Sequence, residues 1–78
     1  MYTDAMQRAF RSITAPTGFG VQIIDNGTFL TVKAKEEIFM RLLDEDKRRA
    51  VEYMVKVKQA LEDNGAIVLL VRDGGKDI

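Results

Sequence analysis

The apolar residues near the start of the chain recur at the spacing of one helical face. They fall at Met6, Ala9, Phe10 and Ile13. This i, i+3, i+4, i+7 stripe predicts an amphipathic helix over about residues 3–13, which Thr3 or Asp4 can cap. We expect the helix to end before Pro16, because a proline ring disfavours helical geometry in the residue that precedes it.

Two alternating runs on either side of Asn26-Gly27 predict a β-hairpin. Asn-Gly between β-prone segments favours a two-residue type I′ turn, in which both central residues have positive φ. That turn fixes a register in which Ile23 faces Leu30, Val21 faces Val32 and Phe19 faces Ala34, with Gln22 opposite Thr31 and Gly20 opposite Lys33. The apolar residues of both strands then share one side, as expected when the other side is solvated.

Ile24 and Phe29 are the exception to this alternation. In the predicted register they oppose each other beside the turn, on the side otherwise given to Gln22 and Thr31. One interpretation is a cross-strand pair that steadies the tip of the hairpin, which contributes a few tenths to ~1 kcal/mol. The other interpretation is an exposed apolar anchor for a partner.

Residues 35–44 fit two kinds of structure. The spacing of Ile38, Phe39, Leu42 and Leu43 predicts one short helix of about two turns. A continuation of the second strand is the alternative, because Ile38-Phe39-Met40 also suits β-structure.

A long amphipathic helix is predicted next, from Asp44 as its N-cap to about Asp63, with Asn64-Gly65 as its stop. Its central stripe consists of Ala50, Met54, Val57 and Leu61, widened by Val51 and Val55 on one side and by Tyr53 and Ala60 on the other. The apolar arc therefore spans more than half of the circumference, which exceeds what packing on a single sheet requires. Either the N-terminal helix, which we favour, or a binding partner covers the excess.

The chain closes with an apolar run at residues 66–71, which predicts a strand covered on both faces, and with a loose tail at 74–78. The predicted fold class is α+β in one domain over residues 1–78, with the order α-β-β-α-α-β and the helices on one face of a three-stranded sheet. A right-handed crossover sets the last strand parallel to the second, and we place it beside the first, in the order 2-1-3. An apolar strand at an open edge favours pairing with itself in a homodimer.

The composition narrows the classes of function. The chain has 78 residues, of which 46% are apolar and 31% charged, so it can form one small core. It has no cysteine, which excludes disulfides and thiolate metal sites and favours a reducing compartment. It also has no histidine, so the commonest general base near neutral pH and the commonest transition-metal ligand are missing. We therefore predict no enzymatic activity and no cofactor.

The charge balance and the lengths of the apolar runs bear on where in the cell the protein is found. Twelve basic and twelve acidic residues give no net field toward nucleic acid or an anionic membrane. No apolar run approaches the ~20 residues that span a bilayer. The residues Met1-Tyr2-Thr3-Asp4 lack the basic start and apolar block of a signal peptide. A cytoplasmic protein is the expectation.

Two groups of residues bear weakly on ligand chemistry. Carboxylates at Asp44, Glu45, Asp46, Asp73 and Asp77 are of the type that binds Mg²⁺ or Ca²⁺. Three consecutive acids at a helix start point in different directions, however, and capping with dipole compensation explains them better, so no metal site is predicted. The glycines of Gly18-Phe19-Gly20 precede a strand, and thus lack the helix N-terminus that makes such loops bind phosphate.

The leading hypothesis is a small non-enzymatic interaction module that binds a protein partner or itself. Its candidate contact residues are Ile24, Phe29, Val51 and Val55, the apolar residues beyond what one sheet face and one helix stripe need. Accessory proteins of compact genomes such as phages are one setting for such a module.

The alternative hypothesis is nucleic-acid binding by the basic side of the long helix, through Lys47, Arg48, Arg49 and Lys56. Interspersed acidic residues at helical spacings favour a solvated, self-paired surface instead.

Overall fold

The computed structural model describes residues 2–13 and 19–71 of the chain. The elements in order are α1 (Asp4–Ser12), β1 (Val21–Asp25), β2 (Leu30–Ala34), α2 (Glu36–Phe39), α3 (Asp44–Asp63) and β3 (Val68–Val71). The three strands form one mixed sheet, so the predicted α+β class and element order are confirmed. The predicted tail at residues 74–78 lies outside the described residues.

The first helix forms where its apolar stripe and cap predict. The Thr3 hydroxyl accepts a hydrogen bond from the Met6 backbone N–H at 3.2 Å, which satisfies one of the free amides of the first turn. Met6 is buried, Phe10 and Ile13 are half-buried against the core, and Ala9 is half-buried. The helix ends at Ser12, and Ile13 is already extended, so it stops before Pro16 as expected.

The hairpin forms, but the predicted register is wrong by two residues. The observed pairs are Val21 with Ala34, Gln22 with Lys33, Ile23 with Val32, Ile24 with Thr31 and Asp25 with Leu30. A shift of two preserves the side on which every residue lies, so the predicted inner and outer faces survive. The predicted Ile24–Phe29 pair does not form, because Ile24 faces Thr31 instead.

Local hydrogen bonds explain why the turn is displaced from Asn26-Gly27. The Asn26 backbone N–H donates to the Phe29 carbonyl at 2.9 Å, which makes Gly27 and Thr28 the central residues. Only Gly27, at φ 90°, has positive φ, whereas a type I′ turn at Asn26-Gly27 needs it at both residues. The Gly27 N–H also donates to Asp25 Oδ1 at 2.9 Å, and this side-chain bond fixes the turn one residue later.

Residues 36–39 form a helix, and the alternative of a continued strand is wrong. The Phe39 N–H donates to the Lys35 carbonyl at 2.9 Å and the Met40 N–H to the Glu36 carbonyl at 2.9 Å. The helix is one turn long, shorter than the predicted two turns, because the chain turns away after Phe39. Phe39 is buried in the core and anchors this turn.

The long helix α3 has the predicted length and buried face. Its cap differs from the prediction, because Leu43 is the N-cap and Asp44 is the first helical residue. The acids Asp44, Glu45 and Asp46 occupy the first turn, where negative charge suits the helix dipole. All four residues of the central stripe, together with Tyr53, are buried.

The order of the strands is β1-β2-β3, so the predicted order 2-1-3 is wrong. Strand β3 does run parallel to β2, as predicted, but it lies directly beside it, with Leu30 opposite Val68 and Val32 opposite Leu70. Burial explains the central place of β2, since Leu30, Val32 and Ala34 are all fully buried, whereas β1 carries the polar Gln22 and Asp25. A strand with no exposed inner residue needs a neighbour on each side.

The prediction that residues 66–71 form a strand covered on both faces is also wrong. The strand itself spans only Val68–Val71. Leu69 is 48% exposed and Ile67, just before the strand, is 67% exposed. Both lie on the face of the sheet that points away from α3.

The core lies between the sheet and the helices α1 and α3. The inner residues of β2 meet Met54, Val57 and Leu61 of α3, and α1 packs against α3 from the side. The Cα atoms fill a slab of 33 × 25 × 14 Å, so one layer of helices on one sheet accounts for the whole thickness.

The fully buried Leu30 gives the first test of this core. We expect Leu30→Ala to lower the free energy of unfolding by about 2–5 kcal/mol, because it leaves a cavity under the central strand. Leu43→Ala is the matched control, since Leu43 is 74% exposed and its loss should cost under about 0.5 kcal/mol. Urea denaturation measures both, and equal losses for the two variants would contradict the assigned core.

The displaced turn gives a second test. Nothing lies within 4 Å of a Cβ placed on Gly27, so substitution there meets only the backbone strain of its φ of 90°. We expect Gly27→Val to cost about 1–3 kcal/mol. Thr28→Val is the control, because valine and threonine have nearly the same shape and residue 28 does not have positive φ. Its effect on the free energy of unfolding should stay within about 0.5 kcal/mol. Thermal denaturation followed by circular dichroism distinguishes them, and a larger loss for Thr28→Val would place the turn elsewhere.

Candidate functional site

One face of the sheet has no helix packed on it within the described part of the chain. We call it the outer face. The pairing of the strands places Ile24, Thr31 and Leu69 in a row across it, one from each strand. Alternation along β2 puts Phe29 on the same side, and Ile67 precedes Leu69 by two residues.

Four of these residues are apolar, and together we call them the outer patch: Ile24, Phe29, Ile67 and Leu69. Ile24 is 38% exposed, and Phe29 is half-buried. None of the four belongs to the core or packs against it. An apolar cluster that leaves the core and meets solvent is typical of a contact surface.

A polar contact lies beneath the outer patch. Thr31, at the centre of the row, is only 9% exposed, and its hydroxyl accepts a hydrogen bond from Asn26 Nδ2 at 2.8 Å. The same amide donates to the Ile24 carbonyl at 3.3 Å. Asn26 therefore links the turn to both strands of the hairpin and holds Ile24 beside Thr31. Among the described residues no buried side-chain polar atom lacks a partner.

The other end of the outer face is polar. Here Gln22, Lys33, Lys35, Glu36 and Glu37 line an open cleft beside the start of α2. Two cations and two carboxylates share this rim, so it has no excess of either sign. The outer face thus changes from apolar at the hairpin end to charged at the α2 end.

The predicted helix residues Val51 and Val55 lie in the other layer of the molecule. Val51 is half-buried against the core, and Val55 is 47% exposed. The four predicted contact residues are therefore divided between two surfaces, with Ile24 and Phe29 on the sheet and the two valines on α3. Their role in binding stays a prediction.

Helix α1 covers the opposite flank of α3. Burial raises the pKa of Tyr53, and the charge of Tyr2 raises it further. The Tyr2 backbone N–H donates to Asp25 Oδ2 at 3.2 Å, which places this end of α1 at the β1 side of the sheet. Val51 and Val55 are each two residues from Tyr53, or 200° around the helix, and so face the β3 side. We predicted that α1 covers the excess apolar surface of α3. It does so on the Tyr53 flank only.

The basic residues named for nucleic-acid binding are not gathered on one face. Lys47, Arg48 and Arg49 are consecutive, so their directions differ by about 100° each. Arg49 pairs with Glu45 at 3.2 Å and Asp46 at 3.6 Å, and the Lys47 ammonium lies 5.9 Å from the centre of the Phe39 ring. With Lys56 they leave no continuous basic surface, and nucleic-acid binding stays an untested prediction.

The acidic residues have structural partners. Glu45 and Asp46 bind Arg49, and Glu62 pairs with Lys58 at 2.9 Å. The described residues contain no group of three side chains arranged to hold a metal ion. Asp73 and Asp77 lie outside the described residues, as do residues 17 and 18 of the glycine segment at 17–20. Over residues 2–13 and 19–71, no helix has both the length and the apolar character needed to cross a bilayer.

Sequence reasoning missed Ile67 and Leu69 as surface residues. An unbroken apolar run looks the same whether its second face is covered or open. The available signal was the polar content of the outer positions on the neighbouring strands, Gln22 and Lys33, which marks that face as solvated.

Comparisons with protein-family models, with curated proteins and with solved structures find no match to this chain. The function is therefore inferred from the surfaces described above.

The contact beneath the outer patch can be measured by a double-mutant cycle. We expect Asn26→Ala and Thr31→Val to be non-additive, with a coupling energy of about 0.5–1.5 kcal/mol, because each variant removes the same hydrogen bond. Urea denaturation of the two single variants and the double variant measures this coupling. Additive losses in the free energy of unfolding would show that the hydrogen bond from Asn26 does not stabilise Thr31 in the row.

Proposed function

We propose that the protein is a non-enzymatic interaction module that binds a protein partner through its outer patch. The observation that carries this proposal is the row across the sheet, in which Ile24 and Leu69 remain exposed on either side of a buried threonine. A three-stranded sheet with one open apolar end resembles half of a packed interface.

The chemistry of the outer patch favours a protein over other partners. Its contact residues are uncharged and apolar, and the only hydroxyl in the row is already hydrogen-bonded to Asn26. Nucleic acid needs cations that neutralise phosphates, and an anionic membrane surface also attracts basic residues. We infer that the partner has a flat apolar surface with polar groups at its edge, which the charged α2 end can meet.

The proposal also includes a cytoplasmic location, in keeping with a chain that has no cysteine. In this view the polar cleft at the α2 end is part of the rim of the interface. Rim charges mainly affect the rate of association and the choice of partner, whereas the apolar centre supplies most of the affinity.

A photo-crosslinking amino acid in place of Phe29 tests this function in cells that express the protein. We expect a covalent adduct to a different protein, because Phe29 lies at the outer patch. The matched control carries the same amino acid at Gln59, an exposed position on α3, and should give no such adduct. Mass spectrometry identifies the captured protein.

Binding to that purified partner then decides the proposal. We expect Ile24→Lys to weaken the affinity tenfold or more, since it places a charge in the apolar centre, and a tenfold loss corresponds to about 1.4 kcal/mol. Leu43→Lys adds the same charge outside the patch and should bind like the wild type. Equal binding by all three proteins, or an adduct with a second copy of the chain alone, would contradict the proposal.

A further inference from the structure

The free edge of β3 lacks the features that keep sheet edges apart. Strand β3 pairs with β2, and within residues 2–13 and 19–71 no strand lies on its other side. Its sequence is Val-Leu-Leu-Val, without the lysine, proline or bulge that commonly protects an edge. The opposite edge, β1, carries Gln22 and Asp25.

The hydrogen bonds to β2 show which backbone groups of β3 are available. The Leu30 N–H donates to the Ile67 carbonyl at 2.8 Å, so Ile67, Leu69 and Val71 direct their backbone groups toward β2. Alternation then directs the N–H and C=O groups of Val68 and Leu70 toward the free edge. These four groups are the donors and acceptors that an added strand can use.

We propose that a second copy of the chain pairs with this edge, so that two molecules form one continuous six-stranded sheet. A two-fold axis makes the two β3 strands antiparallel and keeps both outer faces on the same side. With the axis at Leu69, Val68 of each copy forms a hydrogen-bonded pair with Leu70 of the other. This register uses all the free backbone groups of both residues and gives four new hydrogen bonds.

The helices fit the same arrangement. Helix α3 packs against both β2 and β3, so its axis lies above the space between them. With strands about 4.8 Å apart, α3 is then about one strand spacing from the two-fold axis. The two α3 helices are therefore about 10 Å apart, within the range of packed helix pairs.

The flank of α3 nearest this axis carries Val51 and Val55, which α1 does not cover. Val51 and Val55 face the β3 side, as their position opposite Tyr53 shows. They belong to a stripe at a 3-4-3-4 spacing that consists of Arg48, Val51, Val55, Lys58 and Glu62. Such a stripe is the seam of a helix pair, with the apolar residues at its centre.

The charges on this flank are complementary to themselves. Because β2 and β3 are parallel, α3 runs opposite to them, and the two-fold axis makes the helices antiparallel. With Val55 at the axis, Arg48 of one copy lies opposite Glu62 of the other, and Glu52 opposite Lys58. Within the described chain Arg48 and Glu52 have no ion pair, so both are available for these contacts. Opposite charges at matched positions favour this partner over unrelated ones.

A disulfide test follows from the proposed register. At the axis the two Leu69 residues form a non-hydrogen-bonded pair with Cα atoms about 4.5 Å apart, which suits a disulfide. We expect Leu69→Cys to form covalent dimers under mild oxidation, without background because the chain has no cysteine. Ile67→Cys is the control, since Ile67 is more exposed but faces Val71 of the other copy. Faster crosslinking of Ile67→Cys, as random collision predicts, would overturn the register.

Sedimentation equilibrium tests the association itself. We expect the wild-type chain to show a monomer–dimer equilibrium, and Val55→Lys to weaken it at least tenfold, because two lysines then meet at the axis. Leu43→Lys should leave the equilibrium unchanged. A wild-type chain that stays monomeric at high micromolar concentration would overturn the proposal. This result is independent of the binding test with Ile24→Lys, because Ile24 lies two strands away from the pairing edge.

Discussion

The complete burial of the inner side of β2 is the constraint on which the rest of the structure depends. Leu30, Val32 and Ala34 have no exposed surface, so strands must flank β2 on both sides and helices must cover it from above. The hairpin supplies one neighbour and the crossover through α3 supplies the other. In a chain this small there is no second core to compensate for a defect at this strand.

The placement of the helices follows from the same constraint. Helix α3 contributes its most buried residues directly over β2, and α1 fills the space beside it on the β1 side. A sheet of three strands offers width for two helices and no more. One flank of α3 therefore ends at the β3 edge, which is why Val51 and Val55 differ from Tyr53 in their surroundings.

Local pattern was enough to predict the helices but not the details of the sheet. The boundaries of α1 and α3 follow from apolar periodicity, and that of α1 also from the capping hydroxyl of Thr3. The turn depended on a choice for Asn26, which can adopt positive φ or donate its side-chain amide to Thr31 and Ile24. These alternatives differ by about the energy of one hydrogen bond, and residue types alone do not decide between them.

Strand order and surface exposure depend on contacts distant in sequence. The sequence identified Ile24 and Phe29 as exceptions because they break an alternation within one hairpin. It did not identify Ile67 and Leu69, because their exposure is decided by the absence of a layer over the outer face in the described residues. The same limit applies to the valines of α3, whose surroundings depend on which side α1 occupies.

The parallel pairing of β2 with β3 also determines when the parts of the fold assemble. The hairpin joins neighbouring segments and can close within about 1–10 μs. Strand β3 can pair with β2 only after α3 has formed and has brought the chain back to the sheet. Closing this large loop is entropically costly, so we expect it to be the slow step in folding. During that interval the second edge of β2, the most apolar strand of the sheet, has no partner. We therefore expect the time that nascent molecules spend in this state, rather than the stability of the finished fold, to limit the concentration at which they fold without aggregating.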